Sequence, residues 1–118
     1  MDGYHLTRAQ LSSMPDPSTA HARRGAEFTF DGDAFLHLVQ RVRQPLPADN
    51  IYAPSFDHAI KDPVANDICI VASDRIVIFE GNYLSLDKTP WKEAAGLMDE
   101  SWFVEVDFEV AGKRLVAR

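Results

Sequence analysis

Cysteine occurs once in the 118 residues, at Cys69, which excludes an internal disulfide and a cysteine-based zinc site. Its apolar neighbours Ile68, Ile70 and Val71 lead us to expect a buried structural thiol there. Positive charge is also scarce: 12 lysines and arginines face 18 aspartates and glutamates, a formal charge of -6 with a pI near 5.0. Bulk charge therefore gives no attraction for a phosphate backbone, and no nucleic-acid partner is expected. No apolar run reaches bilayer length, and Met1-Asp2-Gly3-Tyr4-His5 has neither the basic region nor the apolar stretch of a signal peptide. The expectation is a soluble, cytoplasmic protein without a membrane partner. His5, His21, His37 and His58 fall at no metal-ligand spacing, HExxH is missing, and no serine sits in a Gly-x-Ser-x-Gly elbow. Zinc and serine-hydrolase chemistry have no support.

What is present is an ordinary globular composition, 46% apolar and 25% charged, in a chain long enough for one core. Neither an internal repeat nor an interdomain linker is visible, so residues 1–118 read as a single domain. Residues 1–27 are turn-rich, with Leu6 to Leu11 as their one helical piece. Asp31 or Asp33 can cap a helix that carries Phe35, Leu38, Val39 and Val42 on one face and stops at Pro45 and Pro47. Residues 50–64 mix aromatics, proline and polar groups without periodicity and read as an ordered loop. Ile68 to Val71 and Ile76 to Phe79 are β-branched runs that predict strands, the second buried on both faces as parallel strands are. A short helix from Trp91 to Met98, a strand from Trp102 to Val106 and a helix from Phe108 onward complete the pattern. Strand, helix, strand, helix argues for an α/β layer with a parallel sheet. The large aromatics Trp91, Trp102 and Phe103 read as core or interface anchors.

The strongest chemical signal is Arg75-Ile76-Val77-Ile78-Phe79-Glu80-Gly81-Asn82-Tyr83, a hydrophobic strand ending in a carboxylate and a glycine. Ligands of open α/β sheets gather at carboxyl ends of strands, so Glu80 stands at the mouth of a crevice, where it can hold Mg2+ directly or through water. The alternative is a strand that ends in solvent on an acid.

Several short segments in order are similar to the motifs of P-loop small-molecule kinases of the uridine kinase, phosphoribulokinase and pantothenate kinase group. They are Met1-Asp2-Gly3-Tyr4-His5-Leu6; Arg23-Arg24-Gly25-Ala26 with Phe30-Asp31; Ile51 to Asp57; Glu80 to Leu84; Trp102-Phe103-Val104; and Arg114 to Arg118. The resemblance is nearest to bacterial fructose-transport-associated kinases and a fungal uridine kinase-like group, and it covers nearly the whole chain. It implies a partial three-layer P-loop NTPase fold with a parallel sheet, ATP and Mg2+ as cofactors, and a small-molecule hydroxyl as acceptor. Asp2 matches the aspartate that acts as catalytic base or orienter, with a solvated acid as its plain alternative, and Glu80 the magnesium-side acid. Arg23, Arg24, Tyr52 and Asp57 match substrate-side positions, and Arg114 with Arg118 the start of the arginine-bearing lid. For each of these a plain structural role competes: solvent exposure for the arginines, packing for Tyr52, a loop hydrogen bond for Asp57.

The family's Gly-x-x-x-x-Gly-Lys-Ser/Thr loop does not occur in the 118 residues. The resemblance places it, with the first strand, ahead of Asp2, and places the rest of the lid beyond Arg118. The expectation is a chain that does not turn over ATP by itself, since positioning and charge stabilisation are nearly all a phosphoryl-transfer enzyme supplies. An uncovered sheet would favour self-association or pairing with a homologue, which makes a non-catalytic interaction or metabolite-binding module the competing function.

Overall fold

In the computed structural model the residues described are 1–45 and 49–117. A 3-10 turn at Asp2–Tyr4 leads into helices α1 (Arg8–Ser12) and α2 (Pro17–Ala22). Thr7 and Gln10 form a reciprocal capping box on α1. Asp16 accepts from Thr19 N at 3.0 Å, and Pro17 opens α2. An acid cap followed by proline at the first helical position is a start signal, so this stretch holds a second short helix where an irregular segment was expected. Leu11 and Ala20 are buried where the two helices meet.

Helix α3 (Gly32–Arg43) is the long element of the chain. Of the two candidate caps it is Asp31 that takes the position, its carboxylate accepting from Ala34 N at 2.9 Å. Phe35, Leu38 and Val39 are buried on the expected face, with Val42 packed at its border. Gln44 turns extended ahead of Pro45, as the residue before a proline must. Pro47 lies outside the described residues.

Residues 50–64 are not a loop. Ile51–Asp57 is strand β1, which pairs antiparallel with β2 (Asp62–Ile70), Ile51 opposite Ile70 and Asp57 opposite Asp62. Pro54 hid the strand. It sits at a register irregularity between Ala53 and Ser55, where its missing N–H costs the ladder nothing. The core lies between α3, β1 and the following α4 (Trp91–Ala95): Tyr4, Phe35, Leu38, Val39, Ile51, Ala53, Trp91 and Ala94 are buried together.

Among the described residues the one sheet is this antiparallel pair; the expected parallel ladder is not formed within them. Residues 76–79 nevertheless alternate as a strand does. Ile76 and Ile78 are 80% and 83% exposed, while Phe79 packs on Phe35 with ring centroids 5.5 Å apart. One face is covered rather than both, because no described element lies over the other. Trp102, Phe103 and Val104 are each 84% exposed, so only Trp91 of the three aromatic anchors is core. Helix α5 (Phe108–Val116) buries none of its residues. Cys69 is exposed, not buried, because the outward face of a two-stranded hairpin meets no second layer.

Candidate active site

Three segments far apart in sequence meet around Gly81. The Met1 amine donates to the Glu80 carbonyl oxygen, which sets the Asp2 turn beside the end of the 76–80 segment. The approach leaves no space for side chains at two glycines. A Cβ on Gly81 would lie 2.1 Å from Met1 Cγ and Sδ, and one on Gly3 only 2.0 Å from the Pro54 carbonyl oxygen. Tyr83, three residues past Glu80, donates its hydroxyl to the Gly25 carbonyl at 2.7 Å. That bond draws the Arg23-Arg24-Gly25 loop to the same place. Gly25 itself has φ +106, a backbone state that L side chains rarely adopt.

A second tie crosses below. Glu27 accepts from Trp91 Nε1 at 3.1 Å and from Lys88 Nζ at 2.8 Å. The Lys88 hydrogen bond, helped by that from Trp91, holds its carboxyl below the usual range against the opposing pull of desolvation. Tyr4, directly after Gly3, forms an edge-on pair with Phe35 at 5.3 Å. Burial first, and the nearby Asp31 charge second, push its hydroxyl up to about 12.

Asp2 and Glu80 are both exposed, and their carboxylates make no hydrogen bond or ion pair among the described residues. Arg23 is likewise exposed. Arg24 is different. Its guanidinium donates to the Leu6 carbonyl at 2.9 Å and pairs with Asp62 at 3.0 Å, also donates to the Lys61 carbonyl, and lies over the Phe56 ring at 5.5 Å. Only 18% of the side chain is exposed. Desolvation raises the Asp62 carboxyl, but hydrogen bonds from Arg8 N and Arg24 outweigh it and leave the group below its ordinary value. Asp57 is also engaged locally, accepting from Ala59 N at 2.7 Å in the hairpin turn. Arg114 is exposed on α5, and Arg118 lies outside the described residues.

Tyr52 lines a cleft of about 360 Å3 that runs along α3. Gly3 and Tyr4 form one end of the cleft, Pro54 and Pro63 belong to its hairpin wall, and His37 and Arg41 come from the helix. Sequence reasoning named Tyr52 but not His37 or Arg41. The available signal was the stripe Ala34, His37, Leu38, Arg41 at three- and four-residue spacing beside the apolar face.

Solved kinases share this frame. A Silicibacter protein provisionally described as a fructose transport system kinase superposes with a TM-score of 0.84 at 31% identity, over 99% of this chain and 53% of that one. YFH7 of Saccharomyces cerevisiae, provisionally described as a P-loop containing kinase with a circular permutation, gives 0.76 at 36% identity, over 82% of this chain and 36% of that one. The fold is therefore an α/β portion of a P-loop kinase.

ATP-dependent kinase-like protein notR' of Aspergillus versicolor is 63% identical over 120 residues, a match that takes in all of this chain and 70% of that protein. The chain belongs to this family of ATP-dependent kinase-like proteins. ATP-dependent kinase YFH7 of Vanderwaltozyma polyspora is 34% identical over 153 residues, with 43% of its length covered. No family model matches. Among the described residues no helix is long and apolar enough to cross a membrane.

Proposed function

We propose that the chain forms the acceptor side of an ATP-dependent kinase that phosphorylates a hydroxyl of a small metabolite, a nucleoside, sugar or related compound. The observation that carries this reading is the backbone bond from Met1 to Glu80. It places two unpaired carboxylates, Asp2 and Glu80, on adjoining segments beside a basic loop. Asp2 accepts the proton of the acceptor hydroxyl as its oxygen attacks the γ-phosphorus and ADP departs. Arg23 and Tyr52 hold the acceptor. Asp57 shapes the hairpin turn next to it, and Arg114, on the exposed helix α5, is assigned to the ATP phosphates on the family resemblance.

Magnesium fits one of these groups. No cage of three or more His, Cys, Asp or Glu side chains gathers among the described residues. Magnesium at phosphate sites keeps several waters and asks for only one or two carboxylates, and Glu80 is exposed and free to be one. When bound there, the ion offsets charge on the phosphoryl oxygens.

Because the phosphate-binding loop motif is not among the 118 residues, the chain alone is expected to bind acceptor without transferring phosphate. Titration of the purified chain with a panel of nucleosides and sugars tests this, read by the NMR resonances of Gly3 and Tyr52. Saturable shifts without product from Mg·ATP are expected. Unmoved resonances across the panel refute the acceptor assignment, and stoichiometric phosphate transfer refutes the dependence on the loop.

A second reading is favoured by the exposed Ile76, Ile78, Trp102, Phe103 and Val104. Large apolar side chains left this exposed are what another chain, or a second copy, would cover, as in a non-catalytic interaction module. A strictly monomeric chain by light scattering at high concentration argues against it.

A further inference from the structure

The cleft along α3 is polarised from one end to the other. At its first end Asp31 N donates to the Tyr4 carbonyl at 2.7 Å, which joins the start of α3 to the turn that carries Asp2 and Gly3. The Asp31 carboxylate is already engaged there, capping Ala34 N. Arg41 lies ten residues further along the same helix and also lines the cleft, which at 1.5 Å per residue is roughly 15 Å along the axis. His37 and Arg41 stand one helical turn apart on one face, and the arginine stem leans back toward the helix N-terminus and hence toward His37. Both are exposed, and neither side chain has a hydrogen-bond or ion-pair partner among the described residues.

Further donors face the same space. Gln10 lines the cleft, and its amide oxygen already accepts from Thr7 N and Thr7 Oγ1, each at 2.8 Å. The amide NH2 is what remains to offer a ligand. Asn66 reaches the cleft from β2 with φ 56, a left-handed state. Between these groups the walls are Tyr4, Tyr52, Pro54 and Pro63, flat and mostly apolar.

From this placement we infer that the acceptor carries an oxyanion, a carboxylate or a phosphate, which His37 and Arg41 hold while its hydroxyl lies toward Gly3, on the turn that also carries Asp2. The inference rests on the cleft being the acceptor site. A guanidinium without a partner is well matched to a bidentate oxyanion. The cleft's one carboxylate, Asp31, is at the opposite end, so an anionic group is repelled from that end and drawn toward His37 and Arg41.

The test is an NMR titration of the 118-residue chain at constant ionic strength with three small probes: benzoate, phenyl phosphate and the neutral benzamide. Benzoate or phenyl phosphate is expected to bind at least about tenfold more tightly than benzamide, the ratio that one charge-assisted hydrogen bond supplies, with shifts centred on His37 and Arg41. Which of the two is tighter separates a carboxylate from a phosphate. The double variant Arg41→Gln with His37→Gln should bring both anions down to the benzamide level and leave benzamide unchanged. Arg41→Lys keeps the charge but loses the two-pronged fork, so the anion preference should shrink yet stay above that of the double variant, which guards against a folding defect. Equal binding of benzamide and the anions, or an anion preference that survives the double variant, overturns the inference while the acceptor reading stands. If none of the three shifts any cleft residue while a nucleoside or sugar still does, the inference falls alone; if the nucleosides and sugars also leave the cleft unmoved, both readings fall.

Discussion

Replacing Arg24 by alanine removes hydrogen bonds to the Leu6 and Lys61 carbonyls, the ion pair with Asp62 at 3.0 Å, and the stacking over Phe56. Each such bond nets about 1 kcal/mol, and the cation–π contact adds about 0.5–1 kcal/mol. Asp62 is partly exposed and regains water, which offsets some of the loss. An overall destabilisation of roughly 2–4 kcal/mol follows. With a urea slope of about 2 kcal/mol/M for a chain of this size, the unfolding midpoint should fall by about 1–2 M. Arg23→Ala is the control. Its side chain is exposed and without a partner among the described residues, so its stability should change by less than about 0.5 kcal/mol. Urea titrations followed by Trp91 fluorescence measure both. Equal midpoints for the two variants refute the argument, and so would an Arg24→Ala chain of parental stability that has lost acceptor binding. That second outcome would return Arg24 to the substrate role the sequence suggested.

Gly3→Ala drives a methyl into the Pro54 carbonyl, a backbone atom that cannot swing away, and should cost about 1–3 kcal/mol in urea titration. Gly112→Ala meets nothing within 4 Å inside α5 and should instead gain up to about 1 kcal/mol of helix propensity, visible as stronger helical circular dichroism. The lowered Glu27 carboxyl contributes stability that is complete above its ordinary value of 4.5 and is lost as pH falls through the depressed value. The midpoint gap between the parent and Glu27→Gln should therefore be open at pH 7 and close in strong acid. For Tyr4 the sign reverses: its contribution is complete below pH 10 and is lost as pH rises from 10 to about 12. Two pH units correspond to roughly 2–3 kcal/mol, and Tyr4→Phe should be flat across that window relative to the parent.

The legible parts of the fold were those with strong local periodicity. Phe35, Leu38 and Val39 gave the buried face of α3, and Asp31 its cap, because three- and four-residue spacing and an acid before the first turn are local signals. Of the hairpin only the end of β2 was legible, in the β-branched run from Ile68; β1 was not, because Pro54 interrupts it at an irregularity in the ladder, a feature visible only once the partner strand is known. The burial of Cys69 and of both faces of 76–79 was overstated for a related reason. An apolar run reports a preference for being covered, and the described residues supply a cover only on the Phe79 side. At the site, the family resemblance brought forward Asp2, Glu80 and Tyr52. It could not say that Arg24 is spent on Leu6, Lys61 and Asp62, since those acceptors are backbone oxygens and a hairpin carboxylate brought near only by folding.

The bonds that assemble the site all span long stretches of chain: 79 residues between Met1 and Glu80, 58 between Gly25 and Tyr83, 64 between Glu27 and Trp91. Closing loops of that size loses chain entropy before any bond is gained, whereas α3 and the hairpin need only near neighbours. Helices and hairpin are thus expected to order early and the carboxylate junction late, when the Met1 and Glu80 segments have come together. An acceptor that needs both the cleft and the carboxylate junction is therefore held fully only once folding is finished, since α3 and the hairpin alone offer it His37, Arg41 and Tyr52 without Asp2 and Glu80 beside them.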